Sequence, residues 1–455
     1  MPSADASFRL LQEKITEAME RLHVPGVAVG VLHEGAEHIA GFGVTNVDHL
    51  LPVDGDTLFQ IGSTTKTVTG TAAMRLVEMG KLDLDAPIRT YLPDLRMSSE
   101  EVAAKVTMRH LFTHTGGWVG DYFEGTGSGD DALAKVVVRM ADLEQITPLG
   151  AVWSYNNSGF YLAGRVIEVL TGKTYEEAVT ELVLDPLGMK RSFFFAADVI
   201  THRVAAGHYI IDARPVVTRE WALPRAAHPA GGIVSTVGDQ LRYARFHMGD
   251  GTAPDGTRLL APESVAFMQT PLVEGSGGNQ WGLAWGLRKI GDARLVFHGG
   301  ATSGQLSAFM MVPQRRFAIT VLTNADRGVV LHNEVVKWAL EEYLGLVEPE
   351  AQRLEIPEAG LASYAGRYVG AGSTSDLELI VRDGGITMQV HIKGGFPDKD
   401  SPPPPTPPPM RLAFLDTDRI MVLDEPMKGG RGEFLRNTDG SIAWLRLSRI
   451  RARQA

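Results

Sequence analysis

Ser63 and Lys66 stand three positions apart in the segment Ser63-Thr64-Thr65-Lys66. On a helix such residues share a face, so the amine can lie beside the hydroxyl and serve as base to a serine nucleophile. No other serine of the chain is followed by lysine at this spacing. Taken alone the pattern is weak, because a serine at a helix start is usually only an N-cap. Here it follows the apolar stretch Leu58-Phe59-Gln60-Ile61-Gly62, where a surface cap is less expected.

Covalent acyl chemistry also needs a proton shuttle and donors for the developing oxyanion. Tyr155-Asn156-Asn157 offers the first, in a turn just before the helical run Phe160 to Leu170, and Tyr155 is the only tyrosine with asparagine two positions on. The bland alternative is a buried tyrosine beside an asparagine that satisfies loop backbone. His298-Gly299-Gly300-Ala301 comes directly off the apolar strand Arg294-Leu295-Val296-Phe297, and its glycines let another backbone approach closely. His-x-Gly recurs at His33-Glu34-Gly35 and at His114-Thr115-Gly116. His33 falls in a predicted hairpin turn and His114 before a loop of the helical part, so position favours His298. A lone histidine is more often structural than catalytic.

These residues need elements to hold them. The spacing of Val68, Ala72, Leu76 and Val77 predicts a buried helix that starts at Ser63 and closes at Gly80, with free N–H groups at its start favouring negative charge. Leu10, Leu11, Ile15 and Met19 mark an earlier amphipathic helix. Gly26 to Leu32 reads as a buried strand, turning at Glu34-Gly35 and returning over Glu37 to Gly43. Thr107 to Leu187 is mainly helical, broken by Gly125-Thr126-Gly127-Ser128-Gly129. Arg294 to Phe297, Gln305 to Val312 and Phe317 to Thr323 form an antiparallel meander, and Val335 to Leu344 a closing helix. The expectation is a mixed α/β fold: an antiparallel sheet built from both ends of the chain, flanked by helices, with an all-helical subdomain inserted. Residues 1–350 form this unit and residues 351–455 a small all-β barrel or sandwich. Its run Ser401 to Pro409 is expected to be an extended polyproline loop rather than a strand.

Composition narrows the partners. A chain of 455 residues, 44% hydrophobic and 22% charged, is ordinary globular material sufficient for two units. Its formal charge of -10 leaves no basic footprint for nucleic acid or an anionic membrane. With no cysteine, the nucleophile cannot be a thiol and no disulfide forms. The N-terminus has no signal-type apolar core, so a cytoplasmic protein is expected, without cofactor or metal. The expected partner is a small ester or peptide substrate, and a homo-oligomer is compatible with the sequence.

Together and in this order, Ser63-Thr64-Thr65-Lys66, Tyr155-Asn156-Asn157 and His298-Gly299-Gly300 resemble the three signatures of the serine β-lactamase and penicillin-binding-protein superfamily. The class C-like branch of esterases, D-amino-acid peptidases and β-lactamase-related hydrolases is the nearest match. The resemblance spans most of residues 8 to 346, with similar stretches at Val24-Pro25-Gly26, Leu111 to Gly117, Ala230 to Thr236 and Trp281 to Trp285. The segment Tyr364-Ala365-Gly366-Arg367-Tyr368 looks like the start of the lipocalin-like domain appended to some members.

The resemblance implies that Ser63 is acylated, that Lys66 takes its proton and that Tyr155 relays protons. It implies that Asn157 holds the substrate's acyl-side amide, and that the N–H groups of Ser63 and Ala301, next to Gly300, form the oxyanion hole. Either Lys66 or ionised Tyr155 can be the base in each step, both needing depressed pKa values. Where β-lactamases usually carry Lys-Thr-Gly, this chain has His298-Gly299-Gly300, which removes the cation that pairs with an antibiotic's carboxylate. That lowers the expectation of strong β-lactamase activity and favours a serine hydrolase of small esters or peptides, including D-residue peptides, with His298 binding or protonating a weaker group. An acyltransferase or peptide cyclase is the close variant. A catalytically silent ligand-binding module is the rival from another class. The absence of Gly-x-Ser-x-Gly disfavours an α/β-hydrolase elbow.

Overall fold

The computed structural model describes residues 4–221, 223–395, 401 and 403–454. The first three residues and Pro402 of the proline run, on which expectations above also fell, lie outside the described residues.

The apolar run after the first helix becomes β1 (Gly26–His33), which pairs with β2 (Ala36–Gly43) and with a strand from the far end of the unit. The eight-stranded sheet continues through β3 (Val273–Glu274), β4 (Gln280–Trp281), β5 (Gly286–Ile290), β6 (Ala293–Ala301), β7 (Leu306–Val312) and β8 (Phe317–Thr323). Its order is β2-β1-β8-β7-β6-β5-β4-β3, and its pairings are antiparallel. The continuous apolar reading of β1 follows from burial on both faces. Val27, Val29 and Val31 meet α1 (Ala4–Leu22) on one side, while Ala28 and Leu32 face the core around α2 (Thr65–Glu78) on the other. Between them in sequence comes the helical part, including α3 (Ser158–Thr171), then α4 (Val237–Met248), and α5 (Gly328–Leu344) closes the unit. The closing helix is longer at its start than the sequence suggests.

The helix expected to start at Ser63 departs from expectation at its N-terminus. Ser63 lies in a 3-10 turn, Gly62–Thr64, and the α-helix begins only at Thr65. Gly62 takes a left-handed φ of +50°, which tightens the backbone before the helix proper starts. Burial then surrounds α2 almost completely, from Thr65 through Met74, so it runs through the core rather than lying on the surface.

The C-terminal part is a closed eight-stranded barrel, not a sandwich. Its strands are β9 (Gly366–Val369), β10 (Ser375–Arg382), β11 (Gly385–Ile392), β12 (Met410–Phe414), β13 (Arg419–Val422), β14 (Arg431–Arg436), β15 (Ile442–Leu447) and β16 (Arg449–Arg453). Closure comes from β9 against β16, with Tyr368 opposite Arg453. Strands β12, β14 and β16 are absent from the sequence reading: β14 and β16 carry little periodic apolar signal, whereas β12 does alternate, with Met410, Leu412 and Phe414 buried, but is only five residues long and follows the proline run. The described prolines of the run 401–409 lie in irregular backbone before β12.

Candidate active site

Lys66, on the first turn of α2, is fully buried with 0% exposure. Its Nζ lies 2.9 Å from Ser63 Oγ and donates to the Ala230 carbonyl at 2.6 Å. A neutral amine has two N–H groups and one lone pair; giving one N–H to Ala230 leaves the lone pair for the Ser63 hydroxyl. Burial first, and then the positive charge of Arg449, hold the Lys66 amine well below the usual lysine range, with Asp121 opposing. The amine also lies 5.1 Å from the Tyr155 ring centroid and 5.3 Å from that of Phe160.

Tyr155 occupies the turn ahead of α3. Burial raises its phenol well above the ordinary range, while nearby Ser63 and Arg449 ease part of that cost. The expectation that Lys66 and Tyr155 are both depressed therefore needs correction. The same dry surroundings disfavour the charged form of each group, so they push the amine down and the phenol up. The surroundings thus favour the uncharged amine and the uncharged phenol alike.

Asn157 Nδ2 donates to Asp121 Oδ1 at 2.7 Å, which leaves the amide's oxygen as its acceptor for other groups. His298 does not stand past the end of its strand, because β6 runs on through Gly299 and Gly300 to Ala301 and pairs with β7. His298 Nδ1 lies 2.6 Å from the Gly299 carbonyl and must carry the proton, so Nε2 holds the lone pair, with no partner among the described residues. Burial, reinforced by Lys66, pushes this imidazole down to about 3. It is a neutral acceptor, not a replacement cation.

The glycines of this segment lie against the turn that carries Ser63. A Cβ on Gly300 would come within 1.9 Å of the Ile61 carbonyl and 2.7 Å of Ser63 N, and one on Gly62 within 2.6 Å of Ala301 N. Backbone thus touches backbone where the two amides implied for an oxyanion hole are found. Ser307 fastens the junction, donating to the Ile61 carbonyl at 2.7 Å and lying 2.9 Å from Thr64 Oγ1.

Two residues of this neighbourhood escaped the sequence reading. Asp121 binds Arg449, with Nε 2.6 Å from Oδ2 and a terminal nitrogen donating to Oδ1 at 2.9 Å. The Arg449 guanidinium lies 5.0 Å from the Tyr155 ring and is 29% exposed. The barrel is docked here through backbone: Tyr155 N donates to the Ser448 carbonyl at 2.9 Å and Ile450 N to Ser154 Oγ at 3.2 Å. Arg446 adds a bond to the Trp153 carbonyl at 3.1 Å. Neither Asp121 nor Arg449 sits in a local motif; only the clustering of arginines at 446, 449, 451 and 453 could have drawn attention to the last strands. Among the described residues no helix is long and apolar enough to cross a membrane.

Comparison with known proteins agrees with this architecture. The Beta-lactamase family model matches residues 11–340. Penicillin-binding protein 4 of Amycolatopsis lactamdurans is 34% identical over 370 residues, covering 79% of this chain and 97% of that protein. The crystal structure of SurE superposes with a TM-score of 0.76 at 24% identity, covering 100% of both chains. The octameric penicillin-binding protein homologue from Pyrococcus abyssi gives 0.66 at 25% identity, covering 98% of this chain and 99% of that one. With a family model matched over residues 11–340 and a relative 34% identical across 79% of the chain, the chain belongs to the Beta-lactamase family of serine hydrolases, carrying a closed C-terminal barrel compatible with a lipocalin-like domain.

Proposed function

We propose that this protein is a serine hydrolase that forms an acyl-enzyme on Ser63 and cleaves small carboxylic esters or peptide amides, D-residue peptides among them. The observation that carries the reading is the buried Lys66 amine, 2.9 Å from Ser63 Oγ and held low enough to be a neutral base. As Oγ attacks the substrate carbonyl, its proton passes to Lys66 Nζ, and the amides of Ser63 and Ala301 receive the oxyanion. Collapse of the tetrahedral intermediate breaks the bond to the leaving group, which takes its proton from Tyr155; Lys66 then returns one to the phenol. Water enters by the reverse relay and releases the acid. Asn157 offers its oxygen to the acyl-side N–H, and His298 Nε2 accepts from a donor on the substrate. The relative named for penicillin binding supports testing a β-lactam as an acylating probe, although His298 supplies no cation for its carboxylate.

The first measurement is p-nitrophenyl butyrate hydrolysis by the wild type and Ser63→Ala, with intact-mass analysis after exposure to ester and to penicillin. A wild-type adduct on Ser63 and loss of turnover in the variant are expected. Equal turnover in both proteins sinks the nucleophile assignment. Adding a large excess of a peptide amine separates hydrolysis from acyl transfer, since capture diverts product from acid to amide. We also propose a homo-oligomer, supported by the octameric homologue, which light scattering on the intact protein would read directly.

A further inference from the structure

His114, set aside by position in the sequence, lies under Tyr155. Its ring centroid is 4.4 Å from that of the tyrosine, with the planes 31° apart. It also holds the turn on either side. The His114 carbonyl accepts from Ser154 N at 3.0 Å, and its Nδ1 accepts from Asn156 N at 3.0 Å. The Asn156 carbonyl also lies near Nδ1, at 3.2 Å, but the backbone N–H is the closer group and a permanent donor, so Nδ1 presents its lone pair and the ring proton sits on Nε2, which has no partner among the described residues. One residue thus takes the backbone N–H groups before and after Tyr155, and the barrel's Ser448 takes that of Tyr155 itself.

His114 makes this double hold from the left-handed position that ends the helix Met108–Phe112, where His114 N donates to the Leu111 carbonyl at 3.2 Å and Thr115 N to the His110 carbonyl at 3.0 Å. His114 has φ of +56°, in the left-handed region that most L-residues avoid, and histidine is among the side chains that tolerate it best. Strain of this kind persists where surrounding contacts over-determine it, often at functional sites. The ring is 1% exposed and walled by Trp153 at 5.8 Å, Phe160 at 5.5 Å and Trp281 at 5.1 Å. Burial disfavours its charged form, and a proton on Lys66 would disfavour it further.

We propose that His114 is a positioning residue: its imidazole is the neutral slab that sets Tyr155 against Ser63 and keeps water away from the Lys66 amine. The inference rests on the reading of Ser63 as nucleophile. The titratable and charged groups around Lys66 are Tyr155, His114, His298, Arg449 and Asp121. Of these, His114 is uncharged and so can act on the amine only through packing and desolvation.

The test uses the full chain with His114→Asn and His114→Phe, measured by ester turnover across pH. Asparagine accepts left-handed backbone and its Oδ1 can still take the Asn156 N–H, but it removes the slab. Its kcat should fall roughly tenfold to a hundredfold with KM little changed, and the acid limb of kcat/KM should move to higher pH as water relieves the desolvation of Lys66. Phenylalanine keeps the slab and loses the acceptor, so it should melt at lower temperature yet keep the wild-type acid limb. An unmoved limb in His114→Asn overturns the proposal, and so does an equal shift in both variants. Should the asparagine variant fail to fold, the phenylalanine variant decides alone: a wild-type limb sustains the proposal and a shifted limb overturns it. Turnover surviving in Ser63→Ala marks failure of the nucleophile reading instead, and is distinct from a dead Ser63→Ala with an unmoved limb in His114→Asn.

Discussion

Arg449, on the last strand of the barrel, holds its guanidinium 5.0 Å from the centroid of the Tyr155 ring. The C-terminal barrel is therefore part of the electrostatic wall of the site, with Asp121 as the counter-charge that links Arg449 to Asn157. Arg449 lowers the Lys66 pKa and Asp121 raises it.

Removing the two charges should shift the pH dependence of acylation in opposite directions. Arg449→Gln takes away a cation and leaves an uncompensated anion, so the Lys66 pKa rises and the acid limb of kcat/KM moves to higher pH. Asp121→Asn leaves the cation alone, and the limb moves to lower pH. Shifts of about half to one unit are the scale of such partly exposed charge pairs. Parallel shifts in the two variants would falsify the electrostatic account.

Lys66→Arg tests the neutral base. A guanidinium fits the role of a cation but does not lose its proton at working pH. We expect kcat/KM to drop on the order of a thousandfold, with no recovery up to pH 10, as measured by ester hydrolysis. Wild-type-like turnover in this variant would place the base elsewhere.

Gly300→Ala probes the close approach of β6 to the turn that carries Ser63. Its Cβ would lie 1.9 Å from the Ile61 carbonyl, which no rotamer can relieve, so the backbone at Ser63 must shift. A displacement of that kind costs on the order of a hundredfold in acylation rate. Labelling of Ser63 by a fluorophosphonate, timed against the wild type, reads the rate directly.

Acid should destabilise the fold through buried histidines. His247, His298 and His332 are each held at about 3 by burial, against 6.5 when exposed. Above pH 6.5 both folded and unfolded forms are neutral and nothing is lost. As pH falls from there towards 3, the unfolded chain takes up protons that the folded chain refuses, at up to about 1.4 kcal/mol per pH unit for each histidine. Glu176 acts in the same direction at lower pH. Although burial opposes it, hydrogen bonds from His228 and Arg225 hold this carboxyl at about 2, so its contribution is complete above 4.5 and is lost as pH falls towards 2. Melting temperatures from pH 7 to 4 should decline steadily, and His247→Gln should flatten the slope.

The local chemistry was legible in the chain. Ser63 and Lys66 meet because helical geometry brings positions three apart onto one face, and the short 3-10 turn that replaces the first helical turn preserves that meeting. The paired strands at both ends of the main unit were equally readable, since runs buried on both faces are near-continuously apolar: Gly26 to Leu32 throughout, and Phe317 to Thr323 but for Thr320 and Thr323. Barrel strands β14 and β16 were not, because short, arginine-rich, half-exposed strands carry little periodic apolar signal and are defined by their neighbours, and β12, though it alternates, is a five-residue run directly after the prolines. Arg449, Asp121 and His114 reach Tyr155 only because the closed barrel is docked on the turn Trp153 to Asn156, and because His114 bends into left-handed backbone beneath it. Spacing along a helix is a property of the chain itself. The charge state of Lys66, Tyr155 and His298 depends on how much water the assembled fold excludes and which distant charges it brings near, and that only the tertiary structure decided.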